Sequence, residues 1–245
     1  MSDAIDDAHD AQPRAWSQAT LLTADAGAHP SRRCGLDEVG RGALAGPLVA
    51  AAVILPEDIR ERLGTLAPFL RDSKATPRGK RKAVALALRE HAITIALAVA
   101  PVSVIDARGI GWANRDVFRR LISQIDADEY VVDGKVKPPA PPDRIARVRC
   151  MVKADAHAPA VSAASIIAKV YRDHLMAELA QTHGGYGWER NAGYGSAEHL
   201  EALRIHGPTQ HHRAVFVATA LSGGQRARRD RQRSAGPETD GPHLL

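Results

Sequence analysis

The fold is indicated most strongly by residues Cys34–Leu55, which read CGLDEVGRGALAGPLVAAAVIL. An apolar segment ends in two acids, Asp37 and Glu38, and is followed by a glycine-rich turn. The chain then enters Pro47–Leu55, a run whose length and β-branched residues are typical of a buried strand. We therefore expect two strands joined by the glycine-rich turn, with the acidic pair where the first strand meets it.

Strand and helix patterns alternate through the rest of the chain. Three further strands are predicted, at Ile93–Val102, Glu129–Gly134 and Arg144–Val152. Apolar residues at helical spacing predict helices at Arg78–His91, Asn114–Asp126, Ala158–Ala180 and Ser196–His206. The proline-rich segment Lys137–Pro142 must be an extended loop, because proline neither donates to a sheet nor continues a helix. This alternation predicts an α/β fold, a mixed sheet with helices packed on it.

The length of the chain fits one domain with tails, or at most two small domains. Of its 245 residues, 44% are hydrophobic, which is enough to fill a core. We expect residues 1–32 and 221–245 to be disordered tails, the second of them basic, and residues 33–220 to form the domain. The net charge of +5 favours a polyanionic partner such as nucleic acid. Two distant cysteines, an acidic beginning and no apolar run of about 18 residues indicate a cytoplasmic protein without disulfides or membrane spans.

Two more acids follow predicted strands. Asp133 ends the apolar segment of YVVDGK, and Asp155 comes shortly after the predicted strand Arg144–Val152. Each acid taken alone could simply form a turn, but acids at the ends of successive strands tend to collect at one edge of a sheet. Asp37 and Glu38 are adjacent on one strand and point to opposite faces, so both approach one metal ion only if the chain bends.

Carboxylates without nearby cysteines or paired histidines suit a hard divalent cation such as Mg²⁺ or Mn²⁺. Two such ions about 3.5–4 Å apart activate water on one side of a phosphodiester and stabilise the leaving oxygen on the other. The sequence therefore predicts a metal centre for phosphodiester hydrolysis. Its candidate ligands are Asp37, Glu38, Asp133 and Asp155.

Three other patterns suggest sites that the rest of the sequence does not support. Gly40, Gly42 and Gly46 resemble a dinucleotide-binding turn, but such a turn opens a helix, and here a strand follows. LSGGQ at Leu221–Gln225 resembles an ATPase signature, yet the chain has no GxxxxGK[ST] loop. The histidines near the C-terminus lack the spacing of a zinc site, so we expect them at the surface or capping helices. They are His199, His206, His211 and His212.

Residues from about Cys34 to Val217 resemble the type-2 ribonuclease H family (bacterial ribonuclease HII). The opening segment Cys34–Leu55 is similar to the signature of that family. Further blocks follow in the family's order: DSK (Asp72–Lys74), VVDGK around Asp133, VKAD ending at Asp155, SAASIIAKVYRD (Ser162–Asp173), GYGSAEHLEAL (Gly193–Leu203) and HGPTQHHRAVF (His206–Phe216). Several blocks in the right order are far more specific than any one of them.

The resemblance implies a ribonuclease H-like fold, a five-stranded mixed sheet flanked by helices, with a C-terminal helical extension. The four metal-binding acids of the family correspond to Asp37, Glu38, Asp133 and Asp155. Its substrate-binding residues correspond to Gly40, Arg41, Gly42, Tyr171 and Lys74. Among these, the main chain of the Gly-Arg-Gly segment is expected to contact the 2′-hydroxyl of a ribonucleotide, and the tyrosine to sense the substrate.

The activity that the resemblance implies is metal-assisted hydrolysis by a monomeric endoribonuclease. It would cut the RNA strand of RNA–DNA hybrids, and duplex DNA on the 5′ side of an embedded ribonucleotide, leaving 5′-phosphate and 3′-hydroxyl ends. Only the 2′-hydroxyl distinguishes RNA from DNA at a given position, and glycine lets a backbone approach a sugar closely.

Two alternatives come from other functional classes. A noncatalytic nucleic-acid-binding protein is disfavoured by the intact set of four acids, because clustered carboxylates repel phosphate unless metals neutralise them. A DNA endonuclease or resolvase on the same fold is disfavoured by the Gly-Arg-Gly segment and Tyr171.

Overall fold

The computed structural model describes residues 32–71 and 76–223. The expectations for Lys74 and for nearly all of the two tails lie outside these residues. At the N-terminal boundary, Arg32 already belongs to the body, because its N–H donates to Asp128 Oδ2 over 2.8 Å. At the C-terminal boundary, a helix continues to residue 223, past the expected limit at 220.

A five-stranded mixed sheet forms the centre of the fold, as the sequence predicts. Its strands are β1 (Arg33–Val39), β2 (Leu48–Ile54), β3 (Thr94–Ala100), β4 (Glu129–Asp133) and β5 (Val148–Met151). They lie side by side in the order β3-β2-β1-β4-β5. Strand β1 is antiparallel to β2 and parallel to β4, and β4 is parallel to β5. The carboxyl ends of β1, β4 and β5 therefore meet at one edge of the sheet.

The helices pack on both faces of this sheet and continue into a C-terminal extension. They are α1 (Ile59–Leu63), α2 (Arg78–His91), α3 (Val102–Arg108), α4 (Ile110–Gln124), α5 (Pro159–Thr182), α6 (Trp188–Asn191), α7 (Ala197–His206) and α8 (residues 214–223). The four helices with long apolar stripes lie within a few residues of their predicted positions. The short helices α1, α3 and α6 were not predicted. Within the described ranges, no helix is both long and apolar enough to span a bilayer.

The predicted strand at Arg144–Val152 is wrong in its first half. Only Val148–Met151 pairs with the sheet, and Ile145–Arg147 is a turn of 3₁₀ helix. The reason is that β4 supplies only four residues for pairing with β5. Arg144 instead caps the end of α4, where its guanidinium donates to the Ile122 and Ile125 carbonyls over 2.6 and 2.8 Å.

Side chains alternate between two apolar layers. One face of the sheet packs on α3 and α4, and the other packs on α1, α2 and α5. All of β2 is buried because both of its faces are covered. On β1, Gly35 lies so close to α5 that an added Cβ would be 2.2 Å from the Ala160 carbonyl carbon. Glycine at this position therefore sets the distance between the sheet and its longest helix.

The C-terminal extension docks on the glycine-rich turn between β1 and β2. Helices α6, α7 and α8 surround a cluster that includes Trp188. The turn is attached to this extension through main-chain bonds: Leu44 N donates to Gly193 O, Gly46 N to His211 O, and Arg213 N to Leu44 O, each over 2.8 Å. The C-terminal extension therefore forms one wall of the turn.

The expectation that the C-terminal histidines lie at the surface or cap helices is wrong for His199 and His212. Both are buried, and their Nε2 atoms are 3.0 Å apart. His212 Nδ1 accepts the Thr209 N–H, so its Nε2 carries the proton and donates to His199, whose Nδ1–H donates to the Tyr194 carbonyl. Burial lowers the pKa of His212 to about 4. A neutral imidazole pair thus joins α7 to the segment before α8.

Candidate active site

All four predicted acids are delivered to the same edge of the sheet. Asp37 and Glu38 lie near the carboxyl end of β1, and Asp133 is the last residue of β4. Asp155 follows β5 in a short 3₁₀ turn, Ala154–Ala156. Open α/β sheets place their ligands at the carboxyl ends of parallel strands, so the acids stand where a site is expected.

Asp37 and Glu38 point to opposite faces, as adjacent strand residues do. Asp37 lies on the α5 face, where its carboxylate bonds to the Ser165 side chain. Glu38 lies on the α4 face beside Asn114. The chain does not bend between the two acids; it bends one residue after β1, at Gly40, whose φ of 89° is in the left-handed region.

The first three acids repel one another in a poorly hydrated place. Burial, together with the charges of Glu38 and Asp133, raises the pKa of Asp37 to about 7, although a bond from Ser165 opposes the rise. Burial also raises the pKa of Glu38, which the Asp133 charge raises and the Arg41 charge lowers. Ionised carboxylates arranged in this way are stabilised by a cation between them.

Asp133 and Asp155 are connected through the main chain. Asp133 Oδ1 accepts the Ala154 N–H over 2.9 Å, which fixes the turn that carries Asp155 against the end of β4. The Ser162 hydroxyl of α5 donates to the Asp155 carbonyl. Lys153, just before this turn, has a φ of 58°. These constraints hold the Asp155 segment at the sheet edge although β5 has already ended.

The chemistry of the donor set fits a divalent metal. Among residues 32–71 and 76–223, no three His, Cys, Asp or Glu side chains converge in metal-binding geometry. The carboxylates of Asp37 and Asp133 instead accept hydrogen bonds from protein donors. All of the oxygens are hard ligands, and a hard cation relieves the mutual repulsion of the buried Asp37 and the partly buried Glu38 and Asp133.

The glycine-rich turn begins two residues after Glu38. Within the described part of the chain, the N–H groups of Gly40, Ala43, Leu44, Ala45 and Gly46 all have acceptors. The N–H groups of Arg41 and Gly42 have none there, and both residues are exposed. A Cβ placed on Gly42 would have no atom within 4 Å. The turn therefore presents two main-chain donors to solvent beside the acids.

The structure does not bring Tyr171 to this turn. Tyr171 is 5% exposed and packs among Val49, Ala51 and other core residues between β2 and α5. A residue missed in the sequence, Tyr194, lies there instead, and its hydroxyl accepts the Gly40 N–H over 3.1 Å. The signal that could have found it is the Gly-Tyr-Gly segment Gly193–Gly195, whose first glycine bonds to the turn.

The chain is similar to proteins of one family over most of its length. A family model for ribonuclease HII matches residues 34–219. A ribonuclease HII from Paramagnetospirillum magneticum is 45% identical over 189 residues, covering 76% of this chain and 90% of the relative. One from Thermosynechococcus vestitus is 42% identical over 192 residues, covering 78% and 86%. The crystal structure of ribonuclease H2 from Pyrococcus horikoshii has a TM-score of 0.63 at 26% identity, covering 80% of this chain and 99% of that chain.

These matches span the architecture described above and not a single motif. The family model runs from β1 to α8 and includes the acidic edge, the glycine-rich turn and the C-terminal extension that covers it. The chain therefore belongs to the ribonuclease HII family, and it is a nuclease of the hydrolase class.

Proposed function

We propose that this nuclease hydrolyses the RNA strand of RNA–DNA hybrids and cuts duplex DNA on the 5′ side of embedded ribonucleotides, giving 5′-phosphate and 3′-hydroxyl ends. The observation that carries the proposal is the position of two free main-chain donors, on Arg41 and Gly42, directly after the acidic pair of β1. The same segment thus places main-chain donors that would bind a sugar next to carboxylates that would act on its phosphate. The names of the relatives support a ribonuclease H activity. The enzyme would act in the cytoplasm as a monomer.

The acids Asp37, Glu38, Asp133 and Asp155 would hold Mg²⁺ or Mn²⁺, two ions in the form of the reaction that we favour. Bound divalent ions would supply an activated water and stabilise the leaving oxygen of the phosphodiester. The chain itself contributes the arrangement of the carboxylates. Two strand ends and one turn fix the acids, and the Ala154 N–H holds one oxygen of Asp133, so that its second oxygen remains for a ligand.

Substrate selection would fall to the turn. A main-chain N–H can donate to the 2′-oxygen of a ribose, whereas a deoxyribose offers no acceptor there. Glycine at position 42 leaves room for the sugar, because nothing lies within 4 Å of a Cβ built there. Tyr194 would contribute by holding the Gly40 N–H. Lys74, outside the described residues, is retained as a candidate phosphate contact.

The first test is cleavage of a labelled DNA duplex that contains one ribonucleotide, in Mg²⁺ or Mn²⁺. We expect a single metal-dependent cut on the 5′ side of the ribonucleotide and no cut in the matched all-DNA duplex. A protein that binds the ribonucleotide duplex without cutting it would support the binding-protein alternative. Equal cutting of both duplexes would support a DNA endonuclease.

The two tyrosines give a further prediction. We expect Tyr194→Phe to lower kcat/KM on the ribonucleotide duplex about tenfold, because it leaves the buried Gly40 N–H without an acceptor and loosens the turn. Tyr171→Phe, which changes a core side chain, should alter kcat/KM by less than about twofold. Steady-state kinetics of both variants on the ribonucleotide duplex measure these changes in kcat/KM. A large loss in Tyr171→Phe with a normal Tyr194→Phe would restore the role that the sequence suggested for Tyr171.

A further inference from the structure

Two arginines are completely buried behind the glycine-rich turn. Arg172 lies on α5 and Arg213 immediately precedes α8, and both side chains have an exposure of 0%. Within residues 32–71 and 76–223, neither guanidinium forms an ion pair with a carboxylate. Burial and the neighbouring charge of Arg172 together lower the pKa of Arg213 to about 10. Buried cations that form no ion pair oppose stability, so a contribution to stability does not account for these two arginines.

Nearly all of their hydrogen bonds end on carbonyl groups of the turn. Arg172 donates to Ala45 O over 2.9 Å and to Pro47 O over 2.8 Å, besides Ala192 O in the extension. Arg213 donates to Gly46 O over 2.9 and 3.1 Å and to Arg41 O over 3.1 Å. Together the two side chains fix four carbonyls between residues 41 and 47.

The side chains also explain why glycine is present in this turn. A Cβ on Gly40 would lie 2.1 Å from Arg172 Nε. Each guanidinium in addition covers an aromatic ring, Arg172 that of Tyr194 at 5.4 Å and Arg213 that of Phe216 at 5.3 Å. The turn is therefore held from behind by groups whose positions are themselves fixed by packing.

The bond from Arg213 to Arg41 O controls the peptide that ends in the Gly42 N–H. In a trans peptide the C=O and the N–H point in opposite directions, and the described residues contain no cis peptide. Because Arg213 draws the Arg41 carbonyl inward, the Gly42 N–H must point outward. The Arg41 N–H is held outward by a weaker contact, since the Gly40 carbonyl before it accepts the Ala43 N–H over 3.3 Å.

We infer that Arg213 is a positioning residue for ribose recognition, which holds the Arg41–Gly42 peptide so that the Gly42 N–H meets the 2′-oxygen of the substrate. The inference rests on the proposed function, because it requires the turn to face the sugar. Arg172 has a different part. It fixes carbonyls farther along the turn, at Ala45 and Pro47, and within the described residues it donates no hydrogen bond to the Arg41–Gly42 peptide.

The test compares binding of two duplexes that differ only in one 2′-hydroxyl. Each protein carries Asp133→Asn to suppress cleavage, and fluorescence anisotropy gives Kd for the ribonucleotide duplex and for the all-DNA duplex in Mg²⁺. Adding Arg213→Lys keeps the charge but loses the forked guanidinium. It should lower the ratio of Kd for the all-DNA duplex to Kd for the ribonucleotide duplex about fivefold, the usual net worth of one hydrogen bond. Adding Arg172→Lys should change the ratio by less than about twofold, since it spares the Gly42 peptide.

Arg144→Lys is the matched control, because Arg144 also donates to main-chain carbonyls, but at the end of α4. It should leave the ratio unchanged. If Arg213→Lys preserves the ratio, or if Arg144→Lys reduces it equally, Arg213 has no positioning role. If the parent protein itself shows no preference for the ribonucleotide, the proposed function fails instead, independently of Arg213.

The inference can still be tested if Arg213→Lys fails to fold. Thermal unfolding identifies such a protein, and Arg213→Gln then replaces it, since an amide can still donate to one carbonyl. Hydrogen exchange of the proteolytic fragment that contains Gly42 and the rest of the turn supplies a readout without substrate. We expect faster exchange and a reduced Kd ratio together in Arg213→Gln, and a reduced ratio with unchanged exchange would overturn the positioning role.

Discussion

Asp133→Asn should lower the rate of cleavage next to a ribonucleotide by a factor of about 10³ or more, since loss of about 4 kcal/mol of transition-state stabilisation has that effect. Asp133 is the acid whose charge acts on both Asp37 and Glu38. Its replacement removes an anionic ligand from the middle of the set. The asparagine keeps Oδ1, so the bond from the Ala154 N–H can persist and the fold should remain.

Single-turnover cleavage of the ribonucleotide duplex measures this effect, and calorimetric titration with Mn²⁺ measures the loss of metal affinity separately. Without metal, the variant should be slightly more stable than the wild type, because one of three repelling carboxylates is gone. Asp143→Asn makes the same chemical change in an exposed acid that forms an ion pair with Arg144, and this variant should cut normally. Cleavage by Asp133→Asn within about tenfold of the wild-type rate would remove Asp133 from the proposed metal site.

Gly35→Ala should lower the free energy of unfolding by about 3 kcal/mol or more, the upper range for overpacking a core. The new methyl group would lie 2.2 Å from the Ala160 carbonyl carbon and 2.3 Å from the Val161 nitrogen. These are main-chain atoms in the first turn of α5, so no side chain can rotate away. The helix must move off the sheet, and with it the face on which Asp37 meets Ser165.

Gly79→Ala is the control for this substitution. Gly79 lies in the exposed first turn of α2 with no atom within 4 Å of its Cβ position, so alanine should stabilise the protein by about 0.5 kcal/mol through the unfolded state. Urea unfolding of both variants gives the two values. A loss in Gly35→Ala no larger than about 1 kcal/mol would mean that the contact between β1 and α5 adjusts easily.

The sheet and the long helices could be predicted because their patterns are local. Helix α2 has the predicted bounds, and β2 reads as an unbroken apolar run because both of its faces are covered. The edge that gathers the acids also follows from the sequence, since three parallel strands end there. The segment Ile145–Arg147 could not be assigned, because its state depends on how much of β4 is left to pair with, which is a tertiary fact.

Local sequence patterns did not indicate which tyrosine lies at the turn. Tyr171 is four residues from both Ile167 and Leu175, so its helical position already pointed to the core. Tyr194 reaches Gly40 across 154 positions of sequence. The glycines on either side of Tyr194 draw attention to the segment, but they do not identify its partner. Arg213, His199 and His212 look like surface residues in the sequence for a related reason. They bind mainly main-chain carbonyls or other distant rings. Because every residue has a carbonyl, the sequence does not indicate which one is the partner.

The buried arginines connect parts of the chain that are made at different times. The bonds from Arg172 and Arg213 to the turn span between 125 and 172 positions. A ribosome releases the four acids, the last at Asp155, well before residue 213 emerges. A nascent or truncated chain that stops short of Arg213 thus carries every acid of the sheet edge but lacks the group that holds the Arg41 carbonyl. If Arg213 positions the Gly42 N–H as inferred above, discrimination between ribose and deoxyribose is the last property that the growing chain acquires.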